Sequence, residues 1–404
     1  MNPSMHDPTK GKPLPNTPDL SLVQGGLFLQ FLRWAHLSGD IRTSVRKPVI
    51  VIALFAWLPL LVLSALQGQL LGGSVAVPFL LDVQAHIRFL LALPLLIVAE
   101  FEAQRFLPLL LQQFTARHLV PEDSMARFRA VVASASQLRV SVLAEVLLIA
   151  FVYGVGILVV WRHFFALDVS TWYATPSGEG SKLTLAGMWY GYVSVPIVQF
   201  LLLRWYWQLF VWARLLWQLS RIELSLVPAH PDRAGGLGFL ATTGLAFSMI
   251  GAAHGALLAG QLASRIFFGG AALPGFTDLI FVAVLFVLCA VLAPLLFFAP
   301  QLAAARRLGM REYEVLAERY TREFDAKWLR GGAPSDEPLI GSPDIQSLAD
   351  LGNSYEVVRT MHIVPVSKRA IIQLVFATLL PIAPLLFTVI PLNELLQQLI
   401  KFVF

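Results

Sequence analysis

The chain has little charge and almost no sulfur chemistry. Asp, Glu, Lys and Arg make up 14% of its 404 residues, against roughly a quarter in a soluble domain. That scarcity excludes a disordered chain and an ordinary soluble enzyme. The single cysteine, Cys289, excludes an internal disulfide, a thiol pair for redox work and a cysteine-ligated metal cluster. No basic run interleaved with aromatics suggests nucleic acid. HExxH, GxSxG, Walker and GxGxxG motifs are missing, as are aspartate-rich pyrophosphate motifs. No two of the eight histidines stand four residues apart. No aspartate lies inside a long apolar run, so a membrane-embedded aspartyl dyad is excluded too. No catalytic residue, metal site or cofactor is expected.

What the chain has in abundance is apolar residues, 57% of the total. They gather into seven segments: 48–67, 88–110, 140–161, 187–212, 238–267, 279–304 and 370–392. A helix needs roughly 17–25 such residues to cross about 30 Å of hydrocarbon, whereas barrel strands need only about ten and alternate in polarity. The expected fold is therefore all-α: a polytopic integral membrane protein of about seven transmembrane helices. No signal-peptide core precedes the first segment, which is expected to be an uncleaved anchor.

Lys and Arg fall unevenly between the connecting segments. The stretches 1–47, 111–139, 213–237 and 305–369 hold 23 of them, and the alternate stretches hold 3. The positive-inside rule then places the N-terminus in the cytoplasm and the C-terminus outside. The expected location is the cytoplasmic (inner) membrane of a bacterium, with the lipid bilayer as principal partner.

Four parts follow from this layout. Residues 1–47 form a cytoplasmic N-terminal segment whose stretch 20–38 suits an interfacial helix. Residues 48–304 form a six-helix membrane domain. Residues 305–369 form a cytoplasmic helical segment, with Tyr313, Leu316, Ala317, Tyr320, Phe324 and Trp328 on one helical face. Residues 370–404 supply the seventh helix and an outer amphipathic helix.

Ionisable groups inside the spans are costly and usually face a partner, a cavity or a pathway. Arg105 follows Glu102 by three residues, close enough for an intrahelical pair. Glu100 points away from that pair, because two residues turn a helix by about 200°. By helical rise, Glu100, Glu145 and Arg204 reach the same inner-leaflet level. They are expected to form a polar contact, either as a structural network or as an ion or proton relay.

The fifth segment carries Thr243, His254, Gln261 and Arg265 in directions that agree within about 40° on a continuous helix. This polar stripe is expected to line a pathway or polar cavity. Gly244, Gly251, Gly255 and Ala259 form an adjacent small-residue face, including a GxxxG pair suited to close helix approach or to a homo-oligomer. Pro94, Pro196, Pro294, Pro381 and Pro384 lie inside spans and predict kinks.

Between the fourth and fifth segments stands His230-Pro231-Asp232-Arg233. The first three residues repeat the tripeptide of J-domain cochaperones, which joins two soluble helices there and two apolar spans here; the match is chance. Pro231 ends a helix and Asp232 can cap the next one. His230 and Arg233 beside that helix start are a candidate anion loop. These features favour a membrane transport protein, a channel or carrier for an ion or small solute, with an anion or proton-coupled substrate preferred. The competing expectation is a non-transporting assembly or signalling protein, favoured by the small helical segment 305–369 and by the lack of an inverted repeat.

Overall fold

A computed structural model describes residues 45–72, 75–161, 171–177 and 180–388. The interfacial helix at 20–38, the outer helix at 393–404 and the end of the seventh segment lie outside the described residues. The described chain is helical apart from one antiparallel hairpin, β1 (Ala174–Ser177) and β2 (Gly180–Leu183), which pairs Ala174 with Leu183.

Helices α1 (Arg46–Leu66) and α2 (Val83–Ala116) cover the first two apolar segments. The third candidate span, Glu122–Gly156, is divided into α3 (Glu122–Arg139) and α4 (Val142–Phe151). The break falls at Ser141, whose hydroxyl accepts the Ala144 N–H and starts α4 afresh. Helices α5 (Leu185–Leu219), α6 (Leu237–Phe267) and α7 (Leu273–Leu329) complete six helices long and apolar enough to cross a membrane. Helix α8 (Pro343–Arg359) folds back beside the far part of α7, and α9 (Lys368–Leu379) follows.

The seventh segment is not one straight span among the described residues. Its α-helix ends at Leu379, ahead of Pro381, and Ala383–Thr388 continues as a tighter 3₁₀ turn. A proline lacks the N–H that would extend the ladder, so a bend there is the direct outcome. Pro94 and Pro196 act differently. Each follows a five-residue π-helical turn, Arg88–Ala92 in α2 and Tyr190–Ser194 in α5. A π turn widens the helix and absorbs the missing donor without ending it. The two turns face each other: Arg88 Nη1 donates to the Tyr190 hydroxyl at 2.5 Å.

Helix α6 is central, packed against α2 on one side and α9 on the other. Its small residues set the spacing. A Cβ on Gly251 would stand 2.8 Å from Thr378 Oγ1, and one on Gly244 would stand 2.8 Å from the Ala370 Cβ. In a bilayer such close approach, rather than apolar burial, supplies much of the cohesion between helices. The expected small-residue face is thus filled by α9 of the same chain and is not open to a second copy.

The loops rich in Lys and Arg meet at one end, called here the Arg-rich end. Ser225 N–H donates to Leu119 O, His362 N–H to Arg233 O, and Gln301 Nε2 to Ser220 O and Ile222 O. Beneath them Phe114, Phe128, Phe239 and Phe298 pack ring against ring, tying α2, α3, α6 and α7 together. The opposite end is closed by a second aromatic group. Trp172 donates to Asp82 Oδ2 at 2.9 Å and packs on Phe79 and Tyr190.

Candidate functional site: a buried charge network

Glu100 sits in α2 where Leu96, Ala99, Phe101 and Ala103 are buried around it. Helix α5 brings Arg204 to the same level, and the first turn of α4 brings Glu145. Arg204 Nη1 donates to Glu100 Oε2 at 2.5 Å, and Arg204 Nε donates to Glu145 Oε1 at 3.0 Å. A second donor, Arg204 Nη2, reaches Glu100 Oε1 at 3.4 Å. One guanidinium therefore bridges two carboxylates, using the fork geometry that makes arginine suited to this task. All three side chains are buried.

Three further residues join them. Gln208, one turn beyond Arg204 on α5, donates to Glu100 Oε2 at 2.6 Å. Gln104, one turn beyond Glu100 on α2, donates to Glu100 Oε1 at 3.0 Å. Arg139, at the end of α3, approaches the same oxygen at 3.5 Å. Glu100 thus accepts hydrogen bonds from four side chains, and the network balances two carboxylates with two guanidinium groups. The break at Ser141 makes this possible, because it ends α3 with Arg139 turned inward and begins α4 with Glu145 close by.

Glu102 and Arg105 do not belong to this network. They form an exposed i,i+3 pair at 3.7 Å on the other side of α2.

The four polar residues of α6 do not share one surface. Leu237–Thr242 is a 3₁₀ turn, and the α-helix is interrupted at Phe247 before it resumes at Ser248. A uniform turn of 100° per residue therefore does not carry Thr243 onto the face of the others. Thr243 is fully buried and its hydroxyl donates to Leu240 O at 2.6 Å. His254 is half-buried between Tyr206 and Phe286. Its Nδ1 lies 2.8 Å from Ile250 O, which can only accept, so the proton resides on Nδ1. Nε2 then accepts from the Tyr206 hydroxyl at 2.8 Å. Gln261 and Arg265 are exposed, with the Arg265 guanidinium over the Phe276 ring. The expected pathway stripe resolves into a buried threonine, a histidine with both nitrogens bonded, and two surface residues.

In the His230–Arg233 loop, Asp232 takes the capping role and leaves no free donors for the candidate anion. Asp232 accepts from the backbone N–H groups of Ala234 at 2.8 Å, Gly236 at 3.1 Å and Gly238 at 2.8 Å. The donors that a bound anion would need are taken by the chain's own carboxylate. His230 Nδ1 stands 2.9 Å from Asp232 Oδ1. Arg233 is exposed with a left-handed φ of 52°. Partial burial pushes the Asp232 carboxyl up, but the three N–H bonds and His230 more than offset it, and its pKa lies below the ordinary 3.8. The loop is a capped connection, the first of the two expectations for it, and its N–H groups are not free for an anion.

No group of three or more His, Cys, Asp or Glu residues suited to a metal ion occurs among the described residues. No protein family, curated protein or solved structure matches this chain.

Proposed function

We propose that the chain is a membrane transport protein, a carrier for an ion or small solute coupled to protons, with the Glu100–Glu145–Arg204–Arg139 network as its working centre. The observation that supports this reading is the convergence of four ionisable side chains, from α2, α3, α4 and α5, at a level enclosed by apolar residues. Each buried ion costs several kcal/mol in desolvation, and a well-packed apolar cluster would stabilise the same helices at least as well. Groups retained against that cost within a membrane commonly serve protons, ions or solutes. Glu100 is the group assigned to proton exchange: Gln104, Gln208, Arg139 and Arg204 all hold its carboxylate in the charged form, so taking up a proton there requires these bonds to open and couples protonation to a change in helix packing. In this reading the Arg-rich end faces the cytoplasm.

The test is solute and proton flux in liposomes containing purified wild type or Glu100→Gln. Coupled flux in the wild type, with proton coupling lost in the variant, supports the assignment. Flux unchanged in size and coupling by Glu100→Gln removes it.

One observation favours the competing reading of an assembly or signalling protein. Helix α7 continues to Leu329, well past its apolar part, and pairs with α8 to form a helical arm at the Arg-rich end. That arm leaves Val315, Leu316 and Leu329 exposed, and Ile340 in the loop beyond is 91% exposed. Absence of flux with any solute, together with specific retention of a partner protein by residues 305–369 in the intact chain, would establish that reading instead.

A further inference from the structure

Next to the network, on its side toward the Arg-rich end, lies a narrow cleft between α2, α3 and α5. It is lined by Leu107, Leu111, Ala135, Arg139, Gln208 and Trp212, and leaves ≈ 30 Å³ open to the centres of water molecules. A single buried water needs about 10–15 Å³ in this measure. The walls are largely apolar, yet two of the residues that line them each carry a buried polar atom without a partner. Gln208 Oε1 and Trp212 Nε1 are both buried without a hydrogen bond. The residues that carry them are only 6% and 3% exposed.

These two atoms are complementary. The indole N–H can only donate and the amide oxygen can only accept. The amide orientation is set by the other end of Gln208, whose Nε2 is committed to Glu100 at 2.6 Å. A ligand here must accept one hydrogen bond and donate another. An anion fails at the amide oxygen, and a metal cation fails at the indole N–H and at the Arg139 guanidinium. Water meets both demands, and a buried water typically makes about three such bonds.

We propose that the cleft is a hydration site holding one or two ordered waters between Trp212, Gln208 and Arg139, and that these waters connect the Glu100 network with the aqueous phase at the Arg-rich end. Left dry, each of the two atoms would bear the full desolvation penalty of an unpaired polar group. Within the transport reading, the waters are the route by which a proton reaches Glu100. Only that role rests on the transport reading; the hydration itself stands or falls separately.

Hydroxyl-radical labelling of the intact protein in nanodiscs, generated by pulsed X-rays, oxidises side chains beside bound water. Trp205 serves as the internal standard: it is 1% exposed, its Nε1 donates to Leu96 O, and it lies two turns from Trp212 on the same helix. The two tryptophans are separated by fragmentation of one peptide. Trp212 is expected to oxidise several times faster than Trp205. Ala135→Val, which fills the cleft with methyl groups, is expected to bring Trp212 down to the rate of Trp205. Equal slow rates in the wild type would overturn the proposal, as would fast labelling of Trp212 that persists in Ala135→Val. Neither outcome depends on whether a solute is transported.

Discussion

Gly255 of α6 lies directly against the backbone carbonyl of Thr378 in α9. A Cβ at this position would overlap the carbonyl oxygen, a rigid group that cannot step aside. The GxxxG pair therefore works within one chain. Gly255→Val should force α9 away from α6 and lower stability by about 1–3 kcal/mol or more, the usual range for overpacking. Gly352 in α8 has open space around it, so Gly352→Ala should raise stability by up to about 1 kcal/mol through helix propensity alone. Thermal unfolding in nanodiscs measures both. A Gly255→Val protein of normal stability that has lost a dimer would assign the face to a second copy.

Arg204 bridges Glu100 and Glu145 in apolar surroundings, so its removal leaves two carboxylates without their shared cation. Arg204→Met is expected to cost about 3–5 kcal/mol, as for other broken buried ion pairs. Glu102→Gln and Arg105→Gln, at the exposed pair on the same helix, should each change stability by less than about 1 kcal/mol. Comparable losses at both places would mean that the network contributes no more than a surface pair.

The pKa of Asp232 is depressed in the folded protein. The stability it contributes is therefore fully present above its unfolded value and is lost as the pH falls through the lower folded value. Asp232→Asn should be less stable than wild type at neutral pH, because one acceptor oxygen and the charge are gone. The difference should shrink as the pH falls below about 4, where the unfolded carboxyl takes up its proton, and should be smallest below the lower folded value. A stability gap independent of pH between 7 and 3 would show that the carboxylate charge does not support the loop.

The first six spans and the meeting of Glu100, Glu145 and Arg204 were legible in the residues themselves. Apolar length reports a spanning helix directly, and a charge within a span needs a partner at its own depth. Arg139 and Gln208 were not legible as network members. Arg139 ends a polar stretch that reads as solvated, and only the break at Ser141 turns it inward. Gln208 is an ordinary uncharged residue until Glu100 is known to stand opposite. The stripe on α6 misled for a different reason: counting 100° per residue presumes an unbroken helix, and α6 is broken at Phe247. In the Asp232 loop the cap was legible and the competing anion site was not excluded, because the residues do not say that Asp232 takes three N–H groups, two to six residues on, at once.

The uneven distribution of Lys and Arg makes a topological prediction. A reporter inserted at Gly331, where an exposed loop follows α7, should be read on the cytoplasmic side. A reporter fused after Phe404 should be read on the opposite side if the bent segment that begins with α9 completes a crossing. Both reporters on the cytoplasmic side would leave six crossings and turn that segment back within the membrane.

His254 and Glu100 divide the functional question between them. Both nitrogens of His254 are satisfied, one by the carbonyl of Ile250 a turn earlier and one by the Tyr206 hydroxyl. Tyr206 is on α5, two residues beyond Arg204, so the bond ties α6 to the helix that carries the network. A histidine held in this way acts as a strut. Tyr206→Phe should leave Nε2 without its donor and lower stability by about 0.5–1.5 kcal/mol, the net worth of one hydrogen bond. His254→Gln should behave similarly, keeping one bond at most. Neither should alter the proton coupling of transport, which in our reading belongs to Glu100. The measurement is flux in liposomes across an imposed pH gradient for wild type, Tyr206→Phe, His254→Gln and Glu100→Gln, alongside their unfolding midpoints. Coupling that fails in Glu100→Gln and survives in the other two, with midpoints lowered in the latter, is the expected pattern. Coupling that fails in His254→Gln while Glu100→Gln transports normally would move the working centre from the α2–α5 network back to α6.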